Sequence, residues 1–412
     1  MTTPKTTVKT KSGHTIRIEE YIQAGVQGRI ARACDLDTRQ EVAVKVFHPD
    51  HSNADIIART DFLCDQKLSE ACPVLVSPVE LIADKKIVGY TMNLINGIPL
   101  QEFIETKRTT FMQNLVGLAV IVHGFSKLHS RKISHGDIRA ANVLVTLDGP
   151  VPQLRIIDFD NFSAPGVPKP TCLGDEMYLA PELYRSVLAG KPASPGIGSD
   201  LYSIRIMAEE ILTLRHPSAG FLEPEEMFVK SMYDQWFHDP ALPPVRGVGG
   251  YPARILNARL ANLFRRGMSG DPDKRPSAVE WLDELLTSLG EVYICPQDNC
   301  GCPCMADTSK LLCPLCGKPY PTLSLALLDG SKIPIISGFM QLGRNELRMS
   351  NSVSAIHAIL RKVGPAVTLE SYGRNGTYRK TGNSWDRLED QKPIVISKGD
   401  VLRFADVEAK VE

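Results

Sequence analysis

The stretch at residues 134–145, Ser-His-Gly-Asp-Ile-Arg-Ala-Ala-Asn-Val-Leu-Val, constrains this chain more than any other. Asp137 precedes Asn142 by five residues, between a His-Gly pair and an apolar run that is typical of a β-strand. An Asp in this setting is able to take the proton of an attacking hydroxyl group, and an Asn to hold a metal ion that screens phosphates. Asp158 ends a second short apolar run. The sequence therefore predicts that side chains from separate segments meet at one polar site.

Length and charge narrow the class of protein. At 412 residues the chain is too long for one ordinary domain and fits two or three. Its 47 Lys and Arg residues balance 47 Asp and Glu residues, so we expect no nucleic-acid partner. The sequence shows no apolar run that we expect to cross a bilayer and no signal-peptide core near its start. We therefore expect a cytoplasmic protein without a membrane partner.

Hydrophobic patterning predicts a small β-rich lobe followed by a larger helical one. Alternating apolar residues predict strands up to about residue 94, with a helix at 53–70 among them. From 95 to 290, apolar residues recur every three or four positions, which is typical of packed helices. Residues 1–15 are rich in Thr and Lys, so we expect a flexible tail there. The expected fold class of this part is α+β with two lobes.

A glycine-rich turn lies in the β-rich lobe. Gly25 and Gly28 let backbone amides approach phosphate oxygens, although Gln23 stands where the first glycine of G-x-G-x-x-G would be. By itself this turn is as compatible with a plain hairpin. Four motifs follow it in order: Val-Ala-Val-Lys ending at Lys45, His-Gly-Asp at 135–137, Asp-Phe-Asp at 158–160 and Ala-Pro-Glu at 180–182. Together, the motifs of residues 16–290 resemble those of a eukaryotic-type protein kinase domain.

The resemblance implies a role for each matched residue. Asp137 is the expected catalytic base, Lys45 is expected to bind the α- and β-phosphates of ATP, and Arg139 is directed at a phosphate. Asn142 and Asp158 are the expected ligands of Mg²⁺ or Mn²⁺. The positions expected to contact the nucleotide are Gly25, Gly28, Ile30, Ala43, Lys45, Met92, Asn93, Leu94 and Leu144.

Two departures from the family's pattern concern the support of this site. The helix acid that pairs with Lys45 is not a Glu; Asp61 is the first candidate and Asp65 the second, and each is one methylene shorter. Asp160 replaces the glycine that usually follows Asp-Phe, which should stiffen this segment. Three further matches to the family are scaffold residues, namely Glu182, Arg275 and Asp200.

Two more departures concern regulation. Gly136 replaces the Arg through which many kinases sense a phosphorylated activation segment. Activity is then expected to be independent of phosphorylation at the hydroxyl residues of that segment, Ser163, Thr171 and Tyr178. Asp175 stands where Ser/Thr kinases usually carry Thr, and its charge complements that of Arg139, so we predict an ion pair between them.

The implied activity is ATP-dependent transfer of the γ-phosphoryl group to Ser or Thr hydroxyls of protein substrates. The alternative is a pseudokinase or adaptor that binds nucleotide and phosphopeptides without catalysis. The joint presence of Lys45, Asp137, Asn142 and Asp158 favours the enzyme. The catalytic-loop pattern is similar to that of bacterial kinases.

Six of the ten cysteines fall between positions 295 and 316. In a reducing compartment such a cluster is typical of a metal site rather than of disulfides. Two Cys-Pro…Cys-Gly segments, with spacing suited to tetrahedral Zn²⁺, carry Cys295, Cys300, Cys313 and Cys316. The first pair is more widely spaced, and Cys302 and Cys304 compete with it as ligands. We predict a structural, zinc-ribbon-like module at 291–320.

Residues 321–412 show short alternating runs separated by Gly, Asn and Ser, which predicts an all-β sandwich. Leu-Gly-Arg, Ser-Ala-Ile-His, Asn-Gly-Thr and Lys-Gly-Asp occur there in order and together resemble a forkhead-associated (FHA) domain. The resemblance implies that Arg344 and Ser354 bind the phosphate of a phosphothreonine, while Arg374 and Asn375 hold the peptide backbone. The Thr-rich tail of this chain, once phosphorylated, is one expected ligand.

Overall fold

A computed structural model describes the chain at residues 6–83, 87–106, 109–147, 152–170, 172–214, 216–217, 251, 255–295, 297, 300–305, 312–319, 323–335, 339–347, 350–363 and 366–412. The chain divides into two compact units. The first comprises Met1–Gly250 with Asn262–Leu282, and the second Tyr251–Ala261 with Asp283–Glu412. The cysteine-rich stretch and the C-terminal residues, predicted as separate modules, thus fall within one unit.

The first unit begins with a six-stranded antiparallel sheet in the order β1-β2-β3-β4-β6-β5. Its strands are β1 (Thr7–Lys9), β2 (Thr15–Ala24), β3 (Gly28–Asp35), β4 (Glu41–Phe47), β5 (Glu80–Ala83) and β6 (Val88–Asn93). The prediction of a flexible tail at 1–15 is wrong for its second half, because β1 pairs with β2 and buries Val8 against the sheet. Residues 1–5 lie outside the described residues.

Helices dominate the rest of the first unit, as the patterning predicts. The described α-helices of the chain are α1 (Ala54–Gln66), α2 (Leu68–Ala71), α3 (Leu100–Glu105), α4 (Phe111–Ser130), α5 (Pro181–Leu188), α6 (Ile197–Thr213), α7 (Ala258–Gly267) and α8 (Ala278–Ser288). The single helix predicted at 53–70 is two helices, because Lys67 adopts a φ of 48°. A left-handed residue ends an α-helix, so α1 stops at this point.

Helix α4 is the core helix of the helical lobe. By length and composition alone it is apolar enough to cross a membrane, which the sequence analysis did not anticipate. Its Leu115, Leu118 and Phe125 are buried, and the side-chain amide of Asn114 donates to the carbonyl of Ile211 on α6 at 2.9 Å. Burial against protein accounts for the apolar character of this helix.

A small sheet and helix α6 position the polar loops of this lobe. The sheet consists of β7 (Ile98–Pro99), β8 (Val143–Thr146) and β9 (Gln153–Ile156). Asp200 on α6 accepts from the backbone N–H groups of His135 at 2.6 Å and Gly136 at 2.9 Å. Arg275 donates two hydrogen bonds to Glu182, at 2.8 and 2.7 Å. The anchoring acid and the ion pair predicted as scaffold are therefore both present.

The second unit contains a two-stranded ribbon and an all-β sandwich. The ribbon is formed by β10 (Val292–Ile294) and β11 (Pro303–Met305). One sheet of the sandwich has the order β13-β12-β21-β20-β17-β18 and the other the order β14-β15-β16-β19. Their strands are β12 (Leu323–Leu327), β13 (Lys332–Ile335), β14 (Phe339–Leu342), β15 (Ala358–Val363), β16 (Ala366–Ser371), β17 (Thr377–Thr381), β18 (Ser384–Arg387), β19 (Ile394–Ile396), β20 (Val401–Phe404) and β21 (Val407–Val411). Buried residues of both sheets, including Leu325, Leu360, Leu369 and Phe404, share one core, which confirms the predicted sandwich.

Candidate active site and metal centre

A cleft of about 690 Å³ in the first unit has a size typical of small-molecule sites. Its walls include every position expected to contact a nucleotide: Gly25, Gly28, Ile30, Ala43, Lys45, Met92, Asn93, Leu94 and Leu144. Asp137, Arg139, Asn142 and Asp158 line the same cleft. The fold therefore brings together the side chains that the motifs assigned to one site, with the exception of Asp61.

Lys45 on β4 lines this cleft and is buried. Its ammonium is 3.2 Å from Oδ1 of Asp158 and also forms a close ion pair with Asp160. Burial alone would lower the pKa of Lys45, but the two carboxylates outweigh burial and raise that pKa above its ordinary value. Burial likewise opposes ionisation of Asp158, and Lys45 outweighs it and holds the pKa of Asp158 below its ordinary value. Both groups are therefore charged at neutral pH.

The predicted pair between Lys45 and Asp61 does not form in the described structure. Asp61 lies on α1, and its two carboxylate oxygens accept from the ammonium of Lys11 at 2.6 and 2.7 Å. Lys11, which follows β1, thus binds the acid that was expected to pair with Lys45. The assignment of Asp61 as a catalytic residue is corrected accordingly.

The carboxylate of Asp137 is held from two sides. Nδ2 of Asn142 donates to its Oδ2 and to its main-chain carbonyl, both at 2.9 Å. The backbone N–H of Asp175 donates to its Oδ1 at 3.2 Å. Nη1 of Arg139 lies 2.9 Å from Oδ2 of Asp175, which is the ion pair that their complementary charges predict. Nε of Arg139 lies 3.7 Å from Oδ1 of Asp137. The loop therefore presents an oriented carboxylate beside a guanidinium group.

Gly136 is required by a close approach of the chain. Its φ is +80°, and a Cβ at this position would collide with the carbonyl oxygen of Asn161. Because an L side chain rarely adopts such a φ, an Arg does not fit here without moving the segment after Asp158. The presence of a glycine here, where many kinases carry an Arg, thus has a local steric cause.

Sequence reasoning missed three side chains that hold Lys45 or the segment after β9. Asp160 was interpreted as a stiffening residue, yet its carboxylate pairs with Lys45 and accepts from the hydroxyl of Tyr90 at 3.0 Å. Arg59 on α1 is buried and reaches the same segment. The signals available were the extra acid in Asp-Phe-Asp and a cation within an otherwise apolar helix face.

The sulfur atoms of Cys295, Cys300, Cys313 and Cys316 all lie within 4.8 Å of one another. Two of the separations are 3.8 Å, from Cys295 to Cys316, and 3.7 Å, from Cys300 to Cys313. A tetrahedron with Zn–S bonds of about 2.3 Å has edges of about 3.8 Å, so the cluster fits a Zn²⁺ ion. The competing Cys302 is buried beside it, and its thiol contacts the carbonyl of Pro303 at 3.3 Å.

The residues predicted to bind a phosphopeptide also lie close together. The backbone N–H of Arg374 donates to Oγ of Ser354 at 3.2 Å, and Nδ2 of Asn375 donates to the carbonyl of Ser352 at 2.7 Å. Nε of Arg344 donates to the carbonyl of Val353 at 3.2 Å. Loops from both sheets of the sandwich therefore meet at this edge.

His357 braces these loops from below. Its Nδ1 accepts from the backbone N–H of Ser354 at 3.2 Å, and its Nε2 donates to the carbonyl of Gly376 at 3.0 Å. A Cβ at Gly373 would collide with the imidazole ring, which explains a glycine there. The imidazole thus ties the Ser354 loop to the loop that carries Asn375.

Residues 16–286, more than half of the chain, match the protein kinase domain family. This chain belongs to that family. It is 28% identical over 210 residues to the serine/threonine-protein kinase PrkC of Bacillus subtilis. The aligned region covers 50% of this chain and 31% of PrkC. It is 26% identical over 217 residues to the serine/threonine-protein kinase PknA of Mycobacterium tuberculosis, covering 50% and 48%. It is 21% identical over 295 residues to the serine/threonine-protein kinase fray1 of Dictyostelium discoideum, covering 68% and 48%. The chain thus spans 31% to 48% of the length of these curated relatives.

Proposed function

We propose that this chain is an ATP-dependent protein kinase that phosphorylates Ser or Thr side chains of proteins. The observation that carries the proposal is the convergence of Lys45, Asp137, Asn142 and Asp158 on one cleft. Membership of the protein kinase family and the Ser/Thr specificity stated in its relatives' names support it.

Each side chain of the cleft has a task in this proposal. The charged ammonium of Lys45 binds phosphate oxygens of ATP, because its position is fixed by two carboxylates. Asp137, oriented by Asn142, takes the proton of the attacking hydroxyl group. Asp158 and the amide oxygen of Asn142 are oxygen donors of the kind Mg²⁺ prefers and would hold such an ion, which would neutralise phosphate charge. Phosphoryl transfer depends mainly on such positioning and charge neutralisation.

Incubation with γ-labelled ATP and Mg²⁺ or Mn²⁺, followed by phosphoamino-acid analysis, tests this proposal. We expect label on Ser or Thr of the chain itself or of an added protein substrate. Label on Tyr would contradict the residue specificity. Nucleotide binding without any transfer would favour the alternative, an adaptor whose kinase domain only binds ATP.

Replacing Asp175 with Ala is expected to lower kcat about tenfold with little change in KM for ATP. Without its partner at 2.9 Å, the guanidinium of Arg139 is free to turn towards Oδ1 of Asp137, 3.7 Å from its Nε, and to compete for the catalytic carboxylate. Steady-state kinetics of Asp175→Ala in the wild-type and Arg139→Ala backgrounds measure this coupling. An equal loss in both backgrounds would exclude the mechanism.

We also propose that the four clustered sulfurs hold a structural Zn²⁺ ion. The two separations near 3.8 Å and the location of the ligands on two Cys-Pro…Cys-Gly turns support this. All four positions of a tetrahedral ion are then taken by protein, so the ion would stabilise the fold rather than act in catalysis.

The C-terminal sandwich is proposed to bind phosphothreonine peptides as an FHA domain does. Arg344→Ala is expected to weaken binding at least about tenfold, because a guanidinium–phosphate contact is lost. Fluorescence anisotropy with a degenerate phosphothreonine peptide library measures this, and Arg361→Ala, which breaks an ion pair with Glu370 on strands β15 and β16, is the matched control. Equal losses in both variants, or tighter binding of the phosphoserine library, would contradict the proposal.

The phosphorylated N-terminal tail remains one proposed ligand of that sandwich. Of the candidate acceptors Thr2, Thr3, Thr6, Thr7 and Thr10, Thr6 and Thr7 are exposed, whereas Thr10 is buried with its hydroxyl 3.0 Å from that of Ser12. Thr6 and Thr7 are therefore better acceptors than Thr10. Thr2 and Thr3 lie outside the described residues.

A further inference from the structure

The ammonium of Lys45 is held by the segment that follows β9. Asp160 in this segment has a side chain that is only 6% exposed, and it faces Lys45 directly. The hydroxyl of Tyr90 on β6 donates to its other carboxylate oxygen at 3.0 Å. The neighbouring acid, Asp158, lies 3.2 Å from the same ammonium and is 37% exposed to the cleft. Asp160 is therefore the inner, enclosed partner of Lys45, and Asp158 is the outer one that remains open to a ligand.

Helix α1 contacts this segment through a cation instead of an acid. Nη2 of Arg59 donates to the carbonyls of Asp160 and Phe162, each at 2.7 Å, and its Nη1 donates to the carbonyl of Pro168 at 2.6 Å. The guanidinium also lies over the ring of Phe162, 4.4 Å from its centroid. A buried guanidinium that donates three hydrogen bonds to backbone carbonyls fixes the path of the backbone it binds.

We propose that Asp160 is the positioning residue for Lys45, and that Arg59 fixes the segment that carries Asp160. This inference rests on the proposed function in one respect, namely that Lys45 binds the phosphates of ATP. In the family's usual arrangement an acid on the helix holds the lysine, so the helix must sit correctly for the site to form. Here Asp158, the proposed metal ligand, and Asp160, the proposed anchor of Lys45, are two residues apart in the segment that follows β9. A single segment therefore positions both.

The same arrangement gives Asp61 a different task. Its side chain is 33% exposed and is bound to Lys11. Two hypotheses about Lys45 can thus be separated by experiment: either Asp160 positions it, as proposed, or Asp61 moves in and replaces Asp160 when nucleotide binds.

The test compares Asp160→Asn with Asp61→Asn in the full chain. The first readout is steady-state kinetics with MgATP. The second needs no catalysis: it is hydrogen exchange, in nucleotide-free protein, of the Phe162 and Ser163 amides, which donate to the carbonyls of Phe159 at 3.2 Å and Ser134 at 3.1 Å. These amides report directly on whether the segment that carries Asp160 stays in place.

We expect Asp160→Asn to lower kcat about 100-fold while KM for ATP changes less than about threefold, because a misplaced Lys45 stabilises the transition state poorly. Exchange of the two amides should become about tenfold faster. Asp61→Asn should leave both readouts within about twofold of wild type, since an exposed pair with Lys11 contributes little. Tyr90→Phe, which removes one hydroxyl donor to Asp160, should shift both readouts in the same direction by a smaller factor. This variant replaces Asp160→Asn in the test if Asp160→Asn fails to fold.

An Asp61→Asn variant that loses as much activity as Asp160→Asn would overturn the proposal, as would Asp160→Asn or Tyr90→Phe with wild-type kinetics and exchange. A wild-type chain that binds ATP but transfers no phosphate would remove the proposed enzymatic function. In that case the amide exchange rates of the same variants alone test whether Asp160 positions Lys45.

Discussion

Asp137→Asn is expected to reduce phosphoryl transfer by about two to four orders of magnitude, the usual contribution of a positioned general base. The amide keeps the shape of the carboxylate and its hydrogen bond from the backbone of Asp175, but it does not accept the proton of the attacking hydroxyl. ATP binding should change less than about threefold, because Lys45 and the apolar walls of the cleft are untouched. Initial rates with labelled ATP and calorimetry with a non-hydrolysable ATP analogue measure the two quantities.

Asp50→Asn is the matched control, because Asp50 is an exposed acid of the same unit and does not line the cleft. It should transfer phosphate at the wild-type rate. An Asp137→Asn protein that keeps more than a tenth of the wild-type rate would contradict the assignment of Asp137 as the base. A loss of nucleotide affinity equal to the loss of rate would instead show that the substitution damages the cleft.

Cys316→Ser is expected to remove zinc from the protein and to destabilise the second unit. Structural Zn²⁺ contributes about 10–16 kcal/mol of binding free energy in small zinc domains, and part of it stabilises the fold. Cys316 is the exposed member of the cluster, so replacing its sulfur with oxygen costs little packing and acts through the metal. Elemental analysis should fall from one zinc per chain to near zero, and the thermal unfolding of the second unit should shift to lower temperature.

Cys34→Ser controls for the loss of a thiol as such. Cys34 is a half-buried cysteine of the first unit and lies outside the sulfur cluster. This variant should retain one zinc per chain and the wild-type unfolding temperature of the second unit. Zinc retained by Cys316→Ser, or a wild-type protein purified under reducing conditions without bound metal, would exclude the proposed site.

The cleft and the sulfur cluster were predictable because short motifs fix their chemistry locally. Lys45 lies on β4, Asp137 precedes β8 and Asp158 follows β9, each within a distinctive motif, so their convergence follows from the fold. Cys313 and Cys316 sit on one tight turn, and the form of their segment is repeated around Cys295. The choice of Cys300 over Cys302 also followed from that repeat.

The partner of Lys45 was not predictable in the same way. Helix α1 offers the acids Asp61 and Asp65 at plausible positions, and a sequence does not state which helix face turns towards the cleft. That orientation is set by Arg59, whose acceptors are backbone carbonyls about 100 residues further along the chain. Backbone acceptors leave no signature in the side-chain pattern, so the error arose from a contact that residue types do not encode.

The short strands at the edges of the sheets were missed for a similar reason. Strand β1 has three residues, and of these Val8 alone is buried. Strand β18 is exposed or half-buried along its four residues, so it shows no alternation of apolar and polar side chains. These strands form because they pair with a neighbouring strand, and their own hydrophobic pattern is too weak to predict them.

The turn at Gly136 limits how this kinase domain is able to evolve. A phosphate-sensing arginine cannot be introduced at position 136 by one substitution, because the carbonyl of Asn161 occupies the space of its first side-chain carbon. The backbone of residues 158–163 would have to change its conformation first. Arg59 and Lys45 both bind this segment and oppose such a change. An arginine at position 136 would therefore require several simultaneous changes in this segment.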